Sequence, residues 1–394
     1  MDPSAPSECF MMVNSPSLET SAMTSTTEAG VRLFVNQAAV QHNYQMLCQL
    51  HPQTDHGAVI KANGYGIGAA ELAPILEGAG CKSFYVARPS EARGIAQKLS
   101  PTSKIYVFHG HNETGFDFYF NNGFIPILYS RPCIENALTY CKKNTLSLNA
   151  ALLLNTGMNR LGLDSKDLEA LDIDVLKETL NIDSIHSHLA CGRTKDHPLN
   201  NKQMALFTQL CDQHFPEYPR GLSASCQLVL PDYFASHLTR QGLNIFGAFS
   251  PDDLGESHSF FPLQFALKVQ AKILQVHTVQ PGETIGYDAS YTAPSPLRIA
   301  TISMGYADGL PLSASNSTVY TPMLGGIKTP IVGKVSMDLT TLDVTQVPEE
   351  HLDQSSWVDV FYDNMSLYNL ATAAKSSLHE IILRLGPRCE RIFE

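Results

Sequence analysis

The sequence has no apolar run approaching the ~20 residues that a membrane-spanning helix requires. Its charged residues make up only 16%, and no run of Lys and Arg could locally reverse a formal net charge of −11. A surface of that sign repels a phosphate backbone, so neither a membrane nor a nucleic acid is an expected partner. The nine cysteines include no Cys-x-x-Cys pair and no His/Cys spacing, which argues against a metal centre and against a disulfide framework. An odd number of thiols suits a reducing compartment, and the expected location is cytoplasmic. No Lys or Arg precedes Arg32, so a secretory leader would lack its basic segment and a transit peptide its arginines. Residues 1–29, rich in Ser, Thr and Pro, read as a disordered N-terminal extension. A Gly-x-Gly-x-x-Gly turn is also missing, which counts against a doubly wound dinucleotide-binding sheet.

What is present, from Arg32 onward, is an alternation of short β-branched and aromatic runs with longer amphipathic stretches, the pattern of an α/β protein with parallel strands. Eight candidate strands are legible: Gly57–Lys61, Ser83–Arg88, Lys104–Phe108, Phe124–Ser130, Leu148–Asn155, Asp183–Leu189, Gly221–Ser225 and Gly242–Gly247. Eight is the number that closes a (β/α)8 barrel, here expected over residues 30–260. Expected helices between them include Pro89–Leu99, opened by its proline, and Lys202–Phe215. Beyond Phe260 the helical spacing gives way to strict alternation, as in ALKVQAKILQVHTV, with turn pairs such as Pro281-Gly282. Residues 261–394 therefore read as a smaller, mainly β C-terminal domain, interrupted by one short helix near Leu367–Leu378.

The first candidate strand ends in AVIKANGYGIG, which sets Lys61 at a strand's C-terminal end, the barrel face where active sites are built. The apolar run before it desolvates the amine and lowers its proton affinity, the condition for nucleophilic attack on an aldehyde. Most lysines after a strand are only solvated loop residues, so this feature by itself does not decide the matter. The segment KANGYGIG, however, closely resembles the cofactor-lysine motif of the alanine racemase family, KANAYGHG. That resemblance implies an imine between Lys61 and pyridoxal 5'-phosphate, with the Tyr65 hydroxyl donating to the cofactor phosphate.

Further matches follow in the family's order. NTGMNRLG at Asn155–Gly162 resembles DTGMGRLG and gives Arg160 the substrate carboxylate, which the planar guanidinium fork suits. SIHSHLA is similar to the family's histidine segment and places His188 against the pyridine ring, with His186 structural. LTRQGLNIFG resembles VRPGIALYG, so Arg240 faces the pyridine nitrogen while the amides of Gly242 and Leu243 bind phosphate. A guanidinium gives up its proton reluctantly, which keeps that nitrogen unprotonated and discourages side reactions such as transamination. In the β domain, IGYDASYTAP makes Tyr287 the second catalytic base beside Lys61. MGYADGLP and GKVSMDLT bring Tyr306 to the substrate entrance and the Met337 amide to the substrate carboxylate. The resemblance implies racemisation of L- and D-alanine by a two-base mechanism, supplying D-alanine for cell-wall peptidoglycan. It also implies a homodimer whose active sites are shared between subunits.

Some positions depart from the pattern. Cys226 aligns with a phosphate-binding serine and is a poorer donor. Leu153 stands where many members carry a lysine that supports the substrate-binding arginine. Arg193 and Leu312 replace entrance residues of other charge. An ungapped match puts Pro387 where a phosphate-contacting tyrosine sits, which suggests vacated space and tolerance of serine. The alternatives are a racemase of another small amino acid, a pyridoxal-phosphate amino-acid decarboxylase, and a cofactor-carrying protein.

Overall fold

The structure, a computed structural model, describes residues 29–109, 114–225, 237–250, 262–353 and 356–394. After strand β1 (Val31–Val35) comes a run of eight parallel strands: β2 (Asp55–Val59), β3 (Ser83–Val86), β4 (Lys104–Val107), β5 (Ile125–Leu128), β6 (Leu148–Leu153), β7 (Leu180–His186), β8 (Arg220–Gly221) and β9 (Leu238–Gln241). Neighbours pair in sequence order, and β9 returns to β2 with Asp55 opposite Leu238 and Ala58 opposite Gln241. A bridge between Ala224 and Arg240 closes the remaining gap, so the sheet forms a barrel with helices outside it. Ser83–Val86, Ile125–Leu128 and Leu238–Gln241 are buried at every position, as strands covered on both faces must be.

The eighth strand falls earlier than the sequence suggests. Leu238–Gln241 is the strand, and Leu243–Phe246, inside the expected Gly242–Gly247, is a 3-10 turn. The strand is inconspicuous because Thr239, Arg240 and Gln241 are polar yet buried in the barrel, where Thr239 Oγ1 lies 2.9 Å from His56 Nδ1. Two expected helices are displaced at their ends, running Pro89–Ala96 and Pro198–His214. The second begins four residues early because Pro198 occupies its first turn and the His197 side chain accepts from Leu199 N.

The second domain is built on β10 (Leu267–Val279), a 13-residue strand that pairs antiparallel with Leu297–Ile302 and Trp357–Phe361. It also pairs antiparallel with β1, which in turn runs parallel to Cys389–Phe393. The chain's first described strand thus belongs to the sheet of the second domain. Its burial alternates residue by residue, the mark of a sheet covered on one face and unlike the fully buried barrel strands. Where one helix was expected near Leu367–Leu378 there are two, Asn364–Ala373 and Leu378–Leu383, the latter starting at Ser377, whose side chain accepts from Glu380 N. Leu378–Leu383 packs on the segment that carries Lys61. Among the described residues no helix is long and apolar enough to cross a membrane.

Candidate active site

Lys61 follows β2 and opens a left-handed turn in which Ala62, Asn63, Gly64, Tyr65 and Gly66 have φ of 52°, 55°, 63°, 58° and 83°. Each non-glycine residue in that conformation costs about 1–2 kcal/mol, so the turn survives only because its surroundings fix it. Gly64 N donates to Ile60 O and Gly66 N to Ala62 O, each at 2.8 Å. Ala62 N donates to Glu91 Oε1 at 2.7 Å, and Arg391 Nε, from the last strand, donates to Gly66 O at 2.9 Å. The result is a sharp reversal that buries the Tyr65 ring just behind Lys61.

At the mouth of the barrel the charges are mostly positive. Burial pulls the Lys61 amine below the ordinary lysine range, the nearby Arg160 charge adds to that, and Glu91 opposes it. His188, just past β7, is pulled down to about 3 by burial and then by Arg240, Arg160 and Lys61, so it is a neutral ring at any ordinary pH. Arg160 sits on an exposed loop ordered by Asn155, whose Oδ1 accepts from Gly157 N and Asn159 N at 3.2 and 3.0 Å. Arg240 is 5% exposed. Its Nη1 donates to His186 Nδ1 and Gly221 O, both at 2.9 Å, and its Nη2 to Ser187 O at 2.5 Å and Leu222 O at 3.2 Å.

Beside Tyr65 lies a small polar cradle. Gly242 N donates to Ser225 Oγ at 2.8 Å, and a Cβ at Gly242 would fall 2.8 Å from Tyr65 Oη and 3.4 Å from Ser225 Oγ. Only glycine leaves room for a further group here, and with the Gly242 amide engaged by Ser225 Oγ, the Ser225 and Tyr65 hydroxyls are the donors left for an anion such as a phosphate. Leu243 follows, buried, at the start of the 3-10 turn. The site therefore fits a phosphorylated aldehyde: a lysine with lowered proton affinity, an anion cradle and arginines for further anions.

The second domain supplies the other expected residues, and within one chain they stand apart on its surface. Tyr287 is 68% exposed, in the turn joining Thr284–Ile285 to Tyr291–Thr292. Tyr306 and Met337 are also exposed, on two loops tied by Tyr306 N to Ser336 O and Ala307 N to Met337 O, each 3.0 Å. Arg388 bridges the same loops, reaching Asp308 at 2.9 Å and Asp338 at 2.8 Å.

Comparison with known proteins decides what this arrangement is. The alanine racemase N-terminal domain family matches residues 35–250 and the alanine racemase C-terminal domain family residues 266–393. The chain belongs to the alanine racemase family. It is 35% identical over 361 residues to the alanine racemase of Rhodospirillum rubrum, covering 91% of this chain and 94% of that protein. With that of Methylobacterium nodulans it shares 34% over 369 residues, 94% of this chain and 97% of the relative. Its fold superposes on the crystal structure of the Bartonella henselae alanine racemase, described with covalently bound pyridoxal phosphate, with a TM-score of 0.86 at 34% identity over 93% of this chain and all of that one.

For this member of the alanine racemase family, the structure adds to the sequence reading at a few positions. Cys226 lies outside the described residues, and the hydroxyl seen at the cradle is that of Ser225, one position earlier, in SAS. Pro387 is exposed within the single chain. The residue of that closing segment which does face the site is His379, whose ring lies 5.6 Å from that of Tyr65, a placement set by the helix Leu378–Leu383 and carrying no sequence signal of its own. His186, expected to be structural, is buried, with Nδ1 2.9 Å from Arg240 Nη1.

Proposed function

We propose that the protein interconverts L- and D-alanine with pyridoxal 5'-phosphate held on Lys61, supplying D-alanine for cell-wall peptidoglycan. The observation that carries this reading is the juxtaposition of a lysine of lowered proton affinity with the Tyr65, Ser225 and Gly242 cradle at the mouth of a barrel. When bound, the cofactor supplies the electron sink that makes the α-proton of an amino acid removable. The protein's part is placement and proton handling. Arg160 and the Met337 amide hold the substrate carboxylate, His188 lines the ring, and Arg240, which can only donate, faces the ring nitrogen without protonating it.

Inversion needs a proton removed from one face and returned on the other, and so two bases. Lys61 serves one face and Tyr287 the other. Because Tyr287 is 68% exposed on the second domain, the reading calls for a second copy that presents its tyrosine to this barrel, with Tyr306 at the shared entrance. The exposed Leu312, Met337 and Leu339 of the same domain are apolar surface that such a contact would cover. The seven described cysteines are free thiols, the state a reducing cytoplasm maintains.

Purified protein given L-alanine should lose optical activity, and borohydride reduction followed by peptide mapping should find the cofactor adduct on Lys61. Turnover without an adduct on Lys61, or an adduct without racemisation, would reject the proposal.

A further inference from the structure

Behind Arg240 a line of buried polar groups runs down the barrel. A guanidinium has no acceptor, so the 2.9 Å contact with His186 requires Nδ1 to be the acceptor and the ring's proton to sit on Nε2. That nitrogen then donates to Ser184 Oγ at 3.0 Å, and Ser184 donates onward to Asp183 Oδ2, also at 3.0 Å. Asp183 accepts in addition from Tyr106 Oη at 2.6 Å and from Lys104 Nζ at 2.5 Å. Each group has one consistent role, and the direction is fixed at both ends by groups that cannot reverse: a guanidinium at the top and a carboxylate at the foot.

The surroundings hold the ring as well. Tyr85 and Tyr106 stack with centroids 4.5 Å apart, and both stand edge-on to His186 at 5.9 and 6.1 Å. A Cβ at Gly221 would fall 2.7 Å from His186 Nδ1 and 3.0 Å from Arg240 Nη1, so the pair meets only because that residue is glycine. His186 and Ser184 are 1% and 0% exposed, and no solvent route substitutes for this contact.

We propose that His186 is a positioning residue for the racemisation: it acts through Arg240, and Ser184 and Asp183 set the tautomer that lets it do so. This rests on the reading of Arg240 as the group facing the cofactor's ring nitrogen. Burial and the Arg240 charge both keep the imidazole neutral, the form that can accept. Without that acceptor Nη1 loses one of its two anchors and the guanidinium can tilt, admitting a proton to the ring nitrogen. Arg240 held in place would keep the returning proton directed to the α-carbon. With Arg240 tilted, a proton returned to the cofactor's own carbon, followed by hydrolysis of the imine by one water, would leave the amino group of alanine on the cofactor and release the carbon skeleton as pyruvate.

The test uses holoenzyme carrying His186→Leu or His186→Gln and measures alanine turnovers per pyruvate released, beside the visible absorbance of the bound cofactor and the thermal midpoint. A hydrogen bond to a charged group corresponds to about tenfold or more in an equilibrium, so His186→Leu should lower that ratio at least about tenfold. Glutamine offers both an acceptor and a donor, and His186→Gln should stay within about threefold of the parent. A coloured, folded His186→Leu enzyme with an unmoved ratio overturns the proposal, as does a ratio that falls equally in both variants. Should His186→Leu not fold, Asp183→Asn removes the half-buried anionic foot, and an unmoved ratio there overturns it too. A colourless parent enzyme would instead defeat the cofactor assignment, a separate result.

Discussion

The imidazole of His379 stands edge-on to the phenol of Tyr65, with ring centroids 5.6 Å apart and planes at 64°. Through this pair the helix Leu378–Leu383 of the second domain rests on the turn that carries Lys61. Burial, followed by the charges of Arg193 and Lys61, pulls His379 down to about 4.

A pH dependence follows, with its sign. Both His379 and His188 have folded values, about 4 and about 3, below the ordinary 6.5. Between those values the unfolded chain binds protons that the folded one refuses, so stability is full above about 6.5 and is lost as the pH falls toward 4 and then 3. Urea midpoints of the cofactor-free protein should fall across that window, and His379→Gln should flatten the upper part of the fall. An unchanged slope in the variant would remove His379 from the account.

Shared active sites can be read from mixed dimers. Lys61→Ala and Tyr287→Phe proteins should each be nearly inactive. After subunit exchange, random pairing makes half the dimers mixed, each with one intact site of two, so about a quarter of the parent activity should return. Exchange demonstrated by mass tags with no recovery of activity would place both bases on one chain.

Gly242→Ala tests the cradle. Its Cβ would press on Tyr65 Oη at 2.8 Å, and relieving such overlap costs about 1–3 kcal/mol. Pyridoxal phosphate affinity should drop at least about tenfold, and the same overlap, present without the cofactor, should lower the cofactor-free thermal midpoint by a few degrees. Equal affinity for the cofactor would show that the phosphate lies elsewhere.

Substrate choice should be indifferent to Pro387. Because that residue is exposed, Pro387→Tyr should leave the ratio of catalytic efficiencies for alanine and serine within about twofold. A larger change would return the residue to the pocket.

Much of the barrel was legible because fully buried parallel strands read as continuous apolar runs; Ser83–Val86 and Ile125–Leu128 lie wholly within their expected strands. Leu238–Gln241 was not, since three of its four buried residues are polar and Thr239 finds its partner inside the barrel in His56, 183 residues away. Lys61, Arg160, His188 and Arg240 are expectations from local motifs, and the fold brings them near enough that the charges of the other three all act on His188. Ser225 and His379 escaped because tertiary packing selects them, one through the Gly242 amide and the other through a helix 314 residues beyond Tyr65. His186 was visible as a residue, but its role needs the geometry of Arg240, which no spacing encodes.

The pairing of β1 with β10 and with Cys389–Phe393 has a consequence for the order of events on the ribosome. Val31–Val35 is synthesised before the barrel, yet both of its partners come after it. The barrel can close while that strand still has two open edges, and an unpaired strand edge is a template for wrong partners. Gln37 N donates to Glu394 O and Glu394 N to Val35 O, tying the first described strand to the segment just after its parallel partner. Removing the last few residues would therefore leave the earliest-made strand exposed along one side, so such a truncation should betray itself as aggregation during expression while the barrel itself remains folded.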